Sequence, residues 1–256
     1  ILAIILKYVN EIKLENQQEV ENNEVAGNNK IEANNGKVED VYTTLNMEKA
    51  ENIEKTKNNE NKKNIEERKT SIVICPSSLT LNWYNEAKKF APDLKVQVIG
   101  GTAKERKEKI ENLDNYDLII TSYDLLKRDI DIYKNKKYKF RFAIADEAQY
   151  LKNSNTQNAK TIKSIIAQTK FALTGTPIEN SLAELWSIFD FIMPGYLFSY
   201  KEFKTSYEGP IVKDQDEIAT KKLKMLIEPF VLRRTKKEVL TGVEAIVNRY
   251  CIIVIN

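Results

Sequence analysis

The 256-residue chain contains no histidine, which excludes imidazole general-base catalysis and histidine-ligated metal sites outright. Its two cysteines, Cys75 and Cys251, lie in apolar, β-rich runs with no metal-ligand spacing, and they read as buried thiols in a reducing compartment. No long apolar run is present. The opening residues 1–6 are apolar, but they are too few to span a bilayer and lack both a basic leader and a small-residue cleavage site. A soluble, intracellular protein with no membrane partner is expected. The net charge is only +3, too little to identify a nucleic-acid partner by itself. It is unevenly spread: residues 1–70 hold 11 Lys and Arg against 14 Asp and Glu, leaving 29 against 23 in residues 71–256. The basic part is the part expected to fold.

What is present supports a folded enzyme-sized body, because 42% hydrophobic content can build a core for one large or two small domains. Residues 1–14 carry an apolar stripe at helical spacing, so a helix that needs a partner surface is expected there. Residues 15–70 change character. They contain no proline, thirteen asparagines and many Glu and Lys, a composition that buries too little apolar area to offset its ordering entropy. A disordered insertion is expected, with a surface helix over 45–67 as the alternative.

From residue 71 the pattern is regular. Short β-like runs at 71–75, 95–99, 117–121, 140–145 and 170–173 alternate with helical runs. This predicts a doubly wound α/β fold, a parallel sheet covered on both faces, with its core over 71–195. Residues 181–193 predict an amphipathic helix with Leu182, Leu185, Trp186, Phe189 and Met193 inward, and 196–240 a helical, basic extension. Residues 221–237 hold seven Lys and Arg against one acid, as either a nucleic-acid face or a solvated helix would. Residues 241–256 form an unassigned tail.

The chemistry concentrates at strand ends. Phe142, Ala143, Ile144 and Ala145 run directly into Asp146 and Glu147, as a buried strand does when its carboxyl end delivers acids to a crevice. One carboxylate could hold Mg²⁺ through water while the other orients or deprotonates the water attacking a γ-phosphate. A solvated strand end has the same appearance, so the pair needs support from its neighbours. Pro76, Ser77 and Ser78 follow the first strand, Thr121, Ser122 and Tyr123 the third, and Thr174, Gly175 and Thr176 the fifth. Singly these are ordinary caps, with Ser77 and Ser78 expected to cap the run carrying Leu79, Leu81, Trp83, Tyr84, Ala87 and Phe90. Together they suggest a sheet edge that handles phosphate.

Five segments, CPSSLTLNWYNE, TSYDLL, ADEAQYLKN, LTGTPIEN and VLRRTKKEVL, occur in the order and approximate spacing found in the Swi/Snf family of helicase-like, DNA-stimulated ATPases. The chain resembles the first of that family's two RecA-like lobes. The resemblance implies ATP and Mg²⁺ as cofactors, double-stranded DNA bound without regard to sequence, and a second helicase lobe as partner. It implies that Asp146 holds Mg²⁺ through water, that Glu147 is the catalytic base, and that Gln149 links them to the coupling turn Thr174, Gly175 and Thr176. Pro76, Ser77 and Ser78, and Thr121, Ser122 and Tyr123, resemble loops that grip DNA phosphates. Arg233 and Arg234 resemble the arginines found shortly before the second lobe. It implies a location in the bacterial nucleoid or the eukaryotic nucleus.

The departures are specific. No Gly-Lys-Thr phosphate loop occurs, and Gly27, Gly36, Gly100 and Gly101 do not supply one. Residues 1–9 resemble the helix following that loop, so the chain is expected to begin just downstream of it and to be inactive alone. The competing reading is a DNA- or partner-binding module without ATP chemistry.

Overall fold

The computed structural model describes residues 1–11, 14, 70–151, 153, 156–175, 181–234 and 250–255. The expected insertion at 15–70, apart from Thr70, and the alternative helix at 45–67 lie outside them. The chain divides into two compact units at residue 69. In the first, residues 2–11 are helical, with Ile5 and Val9 buried.

The second unit is built on a seven-stranded sheet. Its strands are β1 (Ser71–Cys75), β2 (Val96–Val98), β3 (Leu118–Ser122), β4 (Lys139–Ala145), β5 (Ile166–Thr174), β6 (Val231–Arg234) and β7 (Tyr250–Ile255). They lie in the order β2-β3-β1-β4-β5-β7-β6, and β1 to β5 are parallel. Every residue of β1 and β3 is buried, the mark of strands covered on both sides. Ile72, Ile74, Ile119, Ala143 and Ala145 enter the main core. The alternating Val73, Ile120 and Ile144 are buried as well.

The parallel α/β arrangement agrees with the sequence reading, and the structural difference lies at one edge. There β7 joins β5 antiparallel, pairing Thr174 with Cys251 and Phe171 with Val254, and β6 joins β7 antiparallel. The sheet is therefore mixed: part of the unassigned tail is a sheet strand, and the extension expected to be helical over 196–240 contains the strand β6 as well. The run Cys-Ile-Ile-Val-Ile supplies the β-branched residues that a two-sided strand favours. Strand β5 also begins at Ile166, four residues before the expected start, because its first half is more polar and partly exposed.

The helices used below are α1 (Thr80–Phe90), α2 (Ala103–Glu111), α3 (Tyr123–Lys136), α4 (Gln157–Lys163) and α5 (Leu182–Ile192). Helix α1 packs on β2 and β3, whereas α2, α3 and α4 lie side by side. The amphipathic expectation for α1 is corrected: Ala87 is its one buried residue, while Leu81 and Phe90 are 64% and 62% exposed. In α5, Ile188, Phe191 and Ile192 are buried beside Leu185 and Phe189, so its apolar face is wider than expected. Trp186 is half-buried, tilted against Tyr200 with Lys163 over its ring. Lys221, Lys222 and Lys224 lie exposed on the helix Glu217–Ile227.

Helix α2 starts at a capping box in which Thr102 accepts the Glu105 N–H and the Glu105 carboxylate accepts the Thr102 N–H. Gly101 before it has φ of 99°, and a Cβ there would lie 2.3 Å from a Glu105 oxygen, so glycine is required. One turn on, Arg106 is buried against α3. It donates from Nε to Asp129 Oδ2 at 2.7 Å, from a second nitrogen to Oδ1 at 2.9 Å, and from the third to the Gly101 carbonyl at 2.8 Å. Both side chains are more than nine-tenths buried. Removing one member leaves an uncompensated buried charge. We expect Asp129→Leu to lower unfolding free energy by about 3–5 kcal/mol, and the double variant Arg106→Met, Asp129→Leu to recover most of it. Urea denaturation followed by circular dichroism measures both; equal stability of Asp129→Leu and the parent would contradict the expectation.

Candidate functional site

The order of strands reverses at β1, whose neighbours are β3 and β4, and ligand crevices in open parallel sheets form at such points beyond the carboxyl strand ends. Four of the segments singled out in the sequence leave the sheet along this edge. Register decides how they meet: Ile74 is level with Ala145, Cys75 with Ser122, and Ala145 with Ala172 on β5.

Asp146 continues the ladder past β4, its N–H donating to the Ile74 carbonyl at 2.8 Å. Its carboxylate is half-buried and held on both oxygens. Trp83 Nε1 donates to Oδ2 at 2.8 Å, and the Glu147 N–H donates to Oδ1 at 2.9 Å. The Asp146 carbonyl accepts the Tyr123 hydroxyl at 2.8 Å. Burial pushes the Asp146 carboxyl above its ordinary range, and the Trp83 and Glu147 donors oppose that rise.

Glu147 adopts φ of 52°, the left-handed region that a residue with a Cβ seldom enters. From Glu147 a hydrogen-bonded chain crosses to the next strand: Gln149 Nε2 donates to Glu147 Oε2 at 2.6 Å, and Thr174 Oγ1 donates to Gln149 Oε1 at 3.2 Å. An amide is suited to the middle place because it offers a donor at one end and an acceptor at the other. Gly175 follows, half-buried, and Thr176 lies outside the described residues.

The two expected phosphate loops differ from one another. Ser77 and Ser78 are exposed, in a single 3-10 turn. They do not cap α1, whose preceding residue is Leu79 with no side-chain cap, because they lie inside the turn leading into it. Pro76 is half-buried. Thr121, Ser122 and Tyr123 are buried instead. Ser122 Oγ accepts the Leu125 N–H and caps α3, and Tyr123 stacks on Tyr150 with ring centroids 4.9 Å apart. Arg233 and Arg234 lie in β6, with β5 and β7 between them and the strand that carries the acids. Among the described residues no three His, Cys, Asp or Glu side chains gather as a metal cage, and no helix is long and apolar enough to cross a membrane.

Trp83 and Tyr150 were not singled out as site residues in the sequence. Trp83 carried a signal, since a buried indole N–H needs an acceptor that an apolar core does not offer. Tyr150 carried none, as its exposed ring gains meaning only from the stack on Tyr123.

A family model described as the SNF2-related domain matches residues 13–254. Among curated relatives, an uncharacterized ATP-dependent helicase of Mycoplasma genitalium is 42% identical over 170 residues, covering 66% of this chain and 16% of the relative. The TATA-binding protein-associated factor MOT1 of Saccharomyces cerevisiae is 38% identical over 194 residues, covering 71% and 10%. The chain thus spans less than a fifth of these relatives' length. Among solved structures, the Sulfolobus solfataricus SWI2/SNF2 ATPase core in complex with dsDNA matches with a TM-score of 0.59 and 42% identity, over 69% of this chain and 36% of that one. The fold is accordingly RecA-like.

One consequence of this packing concerns Cys75, at the carboxyl end of β1. Burial, with the nearby Asp146 charge adding to it, pushes its thiol up to about 12 from an ordinary 9.0. At pH 8 the thiolate fraction is then roughly one part in 10⁴. In a Cys251→Ser background we expect Cys75 to resist iodoacetamide at pH 8 and to react promptly once the chain is unfolded. Because the folded pKa is the higher one, this thiol also lowers stability as pH rises from about 9 toward 12. Rapid alkylation of the folded chain would contradict the packing.

Proposed function

Because this chain belongs to the SNF2-related domain family, we propose that it is the first ATPase lobe of a protein that hydrolyses ATP to move along double-stranded DNA. The observation that carries the reading is the chain of hydrogen bonds from Glu147 through Gln149 to Thr174. It ties an acid at the strand edge to the turn after β5.

The residues fit a Mg²⁺ ion held through water. Asp146 is a partly desolvated carboxylate whose two oxygens are oriented by N–H donors yet keep further lone pairs. A divalent cation relieves the burial of that charge, and Mg²⁺ is commonly held by one or two carboxylates while keeping several of its waters. When bound with ATP, Mg²⁺ neutralises charge on the phosphates.

In this reading Asp146 holds the hydrated ion. Glu147 orients the attacking water and takes its proton. Gln149 senses the state of Glu147 and passes it to Thr174, Gly175 and Thr176, the turn that answers to the second lobe. The exposed Ser77 and Ser78, with Pro76, meet DNA phosphates, which fixes position without reading sequence. Thr121, Ser122 and Tyr123 contribute from beneath that surface, through the cap of α3 and the hydroxyl that supports Asp146. Arg233 and Arg234 mark the approach to the second lobe. No Gly-Lys-Thr phosphate loop occurs among the residues of this chain.

The test uses the intact protein. Glu147→Gln keeps size and hydrogen bonding but removes the base, so DNA-stimulated ATP hydrolysis is expected to fall by about 10²–10⁴-fold while ATP binding persists. Undiminished hydrolysis in that variant, or no stimulation by duplex DNA in the parent, would overturn the reading.

A further inference from the structure

Asp146 is fixed by hydrogen bonds arriving from both helices that begin at the expected DNA edge. Trp83, in the first turns of α1, donates to its carboxylate, and Tyr123, the first residue of α3, donates to its carbonyl. The two supports differ in firmness. Helix α3 buries Tyr123, Leu126, Ile130 and Tyr133, and is tied to α2 by the Arg106–Asp129 pair. Helix α1 buries Ala87 alone, exposes Leu81 and Phe90, and lacks a side-chain cap at its amino end. A segment with so few buried apolar contacts is the one that shifts most readily.

The exposed Ser77–Leu79 turn leads directly into α1, and Trp83 follows Ser78 by five residues. A ligand that draws this turn outward or clamps it inward would act on Trp83 through the first turn of α1, and so on the bond from the indole N–H to Asp146 Oδ2. The Asp146 backbone is tied instead to Ile74 of β1, a strand buried throughout, and to Tyr123 of α3.

We propose that Trp83 is a positioning residue through which contact of duplex DNA with the Ser77–Leu79 turn sets the orientation of the Asp146 carboxylate, with Tyr123 as the fixed support against which it moves. The proposal rests on the function proposed above. It locates DNA stimulation in a single hydrogen bond between α1 and β4, and assigns Trp83 no contact with ATP or with DNA.

Two measurements on the intact protein test it. First, the ratio of DNA-stimulated to basal ATP hydrolysis is compared for the parent, Trp83→Phe, and Phe90→Ala as a control at the far, exposed end of α1. Loss of one charge-assisted hydrogen bond is expected to reduce the ratio by about tenfold in Trp83→Phe. Phe90→Ala is expected to keep it. Second, the protein is labelled with 5-fluorotryptophan, and the ¹⁹F resonance that disappears in Trp83→Phe is followed as duplex DNA is added. A shift that saturates together with DNA binding, measured by fluorescence anisotropy, supports the proposal. A merely structural Trp83 would leave that resonance unmoved. A parent protein that is stimulated by DNA, with a static Trp83 resonance or an unreduced ratio in Trp83→Phe, overturns this proposal and leaves the function standing. A parent that neither binds duplex DNA nor is stimulated by it overturns both.

Discussion

The rung from the Asp146 N–H to the Ile74 carbonyl is the contact on which the arrangement of the site depends. It extends the β1–β4 ladder one residue beyond β4 and so fixes where the first acid leaves the sheet. Everything else at the edge takes position from it. The Tyr123 hydroxyl reaches the Asp146 carbonyl because β3 is in register with β1 on the other side, and Thr174 reaches Gln149 because β5 is in register with β4. A slip of one residue in β4 would turn Ala143 and Ala145 out of the main core and carry the acids with them. The buried apolar alternation of the central strands is therefore also what aligns the chemistry.

Parallel strands leave their carboxyl ends on one side of the sheet, and four segments far apart in sequence arrive together there. Their contributions are unequal. The end of β4 supplies acids, the end of β3 supplies buried support, the end of β5 supplies a hydroxyl that donates to Gln149, and the end of β1 supplies an exposed polar turn. Helix α1 buries one residue where α3 buries five, so the two helices that begin at this edge are unequally anchored in the core. The same contrast is visible in their ion pairing, since the Arg106–Asp129 pair joins α2 to α3 and has no counterpart on α1 among the described residues.

Much of this was legible in the sequence, because β-branched runs, strand-end polar clusters and five ordered motifs all point to one parallel sheet. The helix α5 and the strands β1 to β4 fall within a residue or two of their expected places. What escaped depended on partners distant in the chain. Strand β7 has the composition of a strand, but its place between β5 and β6 comes from pairing that no local pattern encodes. Leu81 and Phe90 follow helical spacing yet stay exposed, because periodicity reports which residues could share a face and not whether anything covers it. Within the candidate site, the acids and Gln149 stood out by residue type. Trp83 and Tyr150 matter through a hydrogen bond and a ring stack that exist only after folding, and Thr121 and Ser122 read as surface residues because hydroxyls do not announce their depth.

The antiparallel pair at the β5 side has a bearing on solubility. A parallel sheet that stopped at β5 would present nine residues of unpaired backbone, long enough to recruit a strand from another molecule. Strand β7 pairs with Lys170 to Thr174 of β5, and β6, four residues long, pairs with the other side of β7. The opposite outer strand, β2, is only three residues long. Among the described residues both outermost strands are thus short, and short outer strands are poor templates for edge-to-edge aggregation.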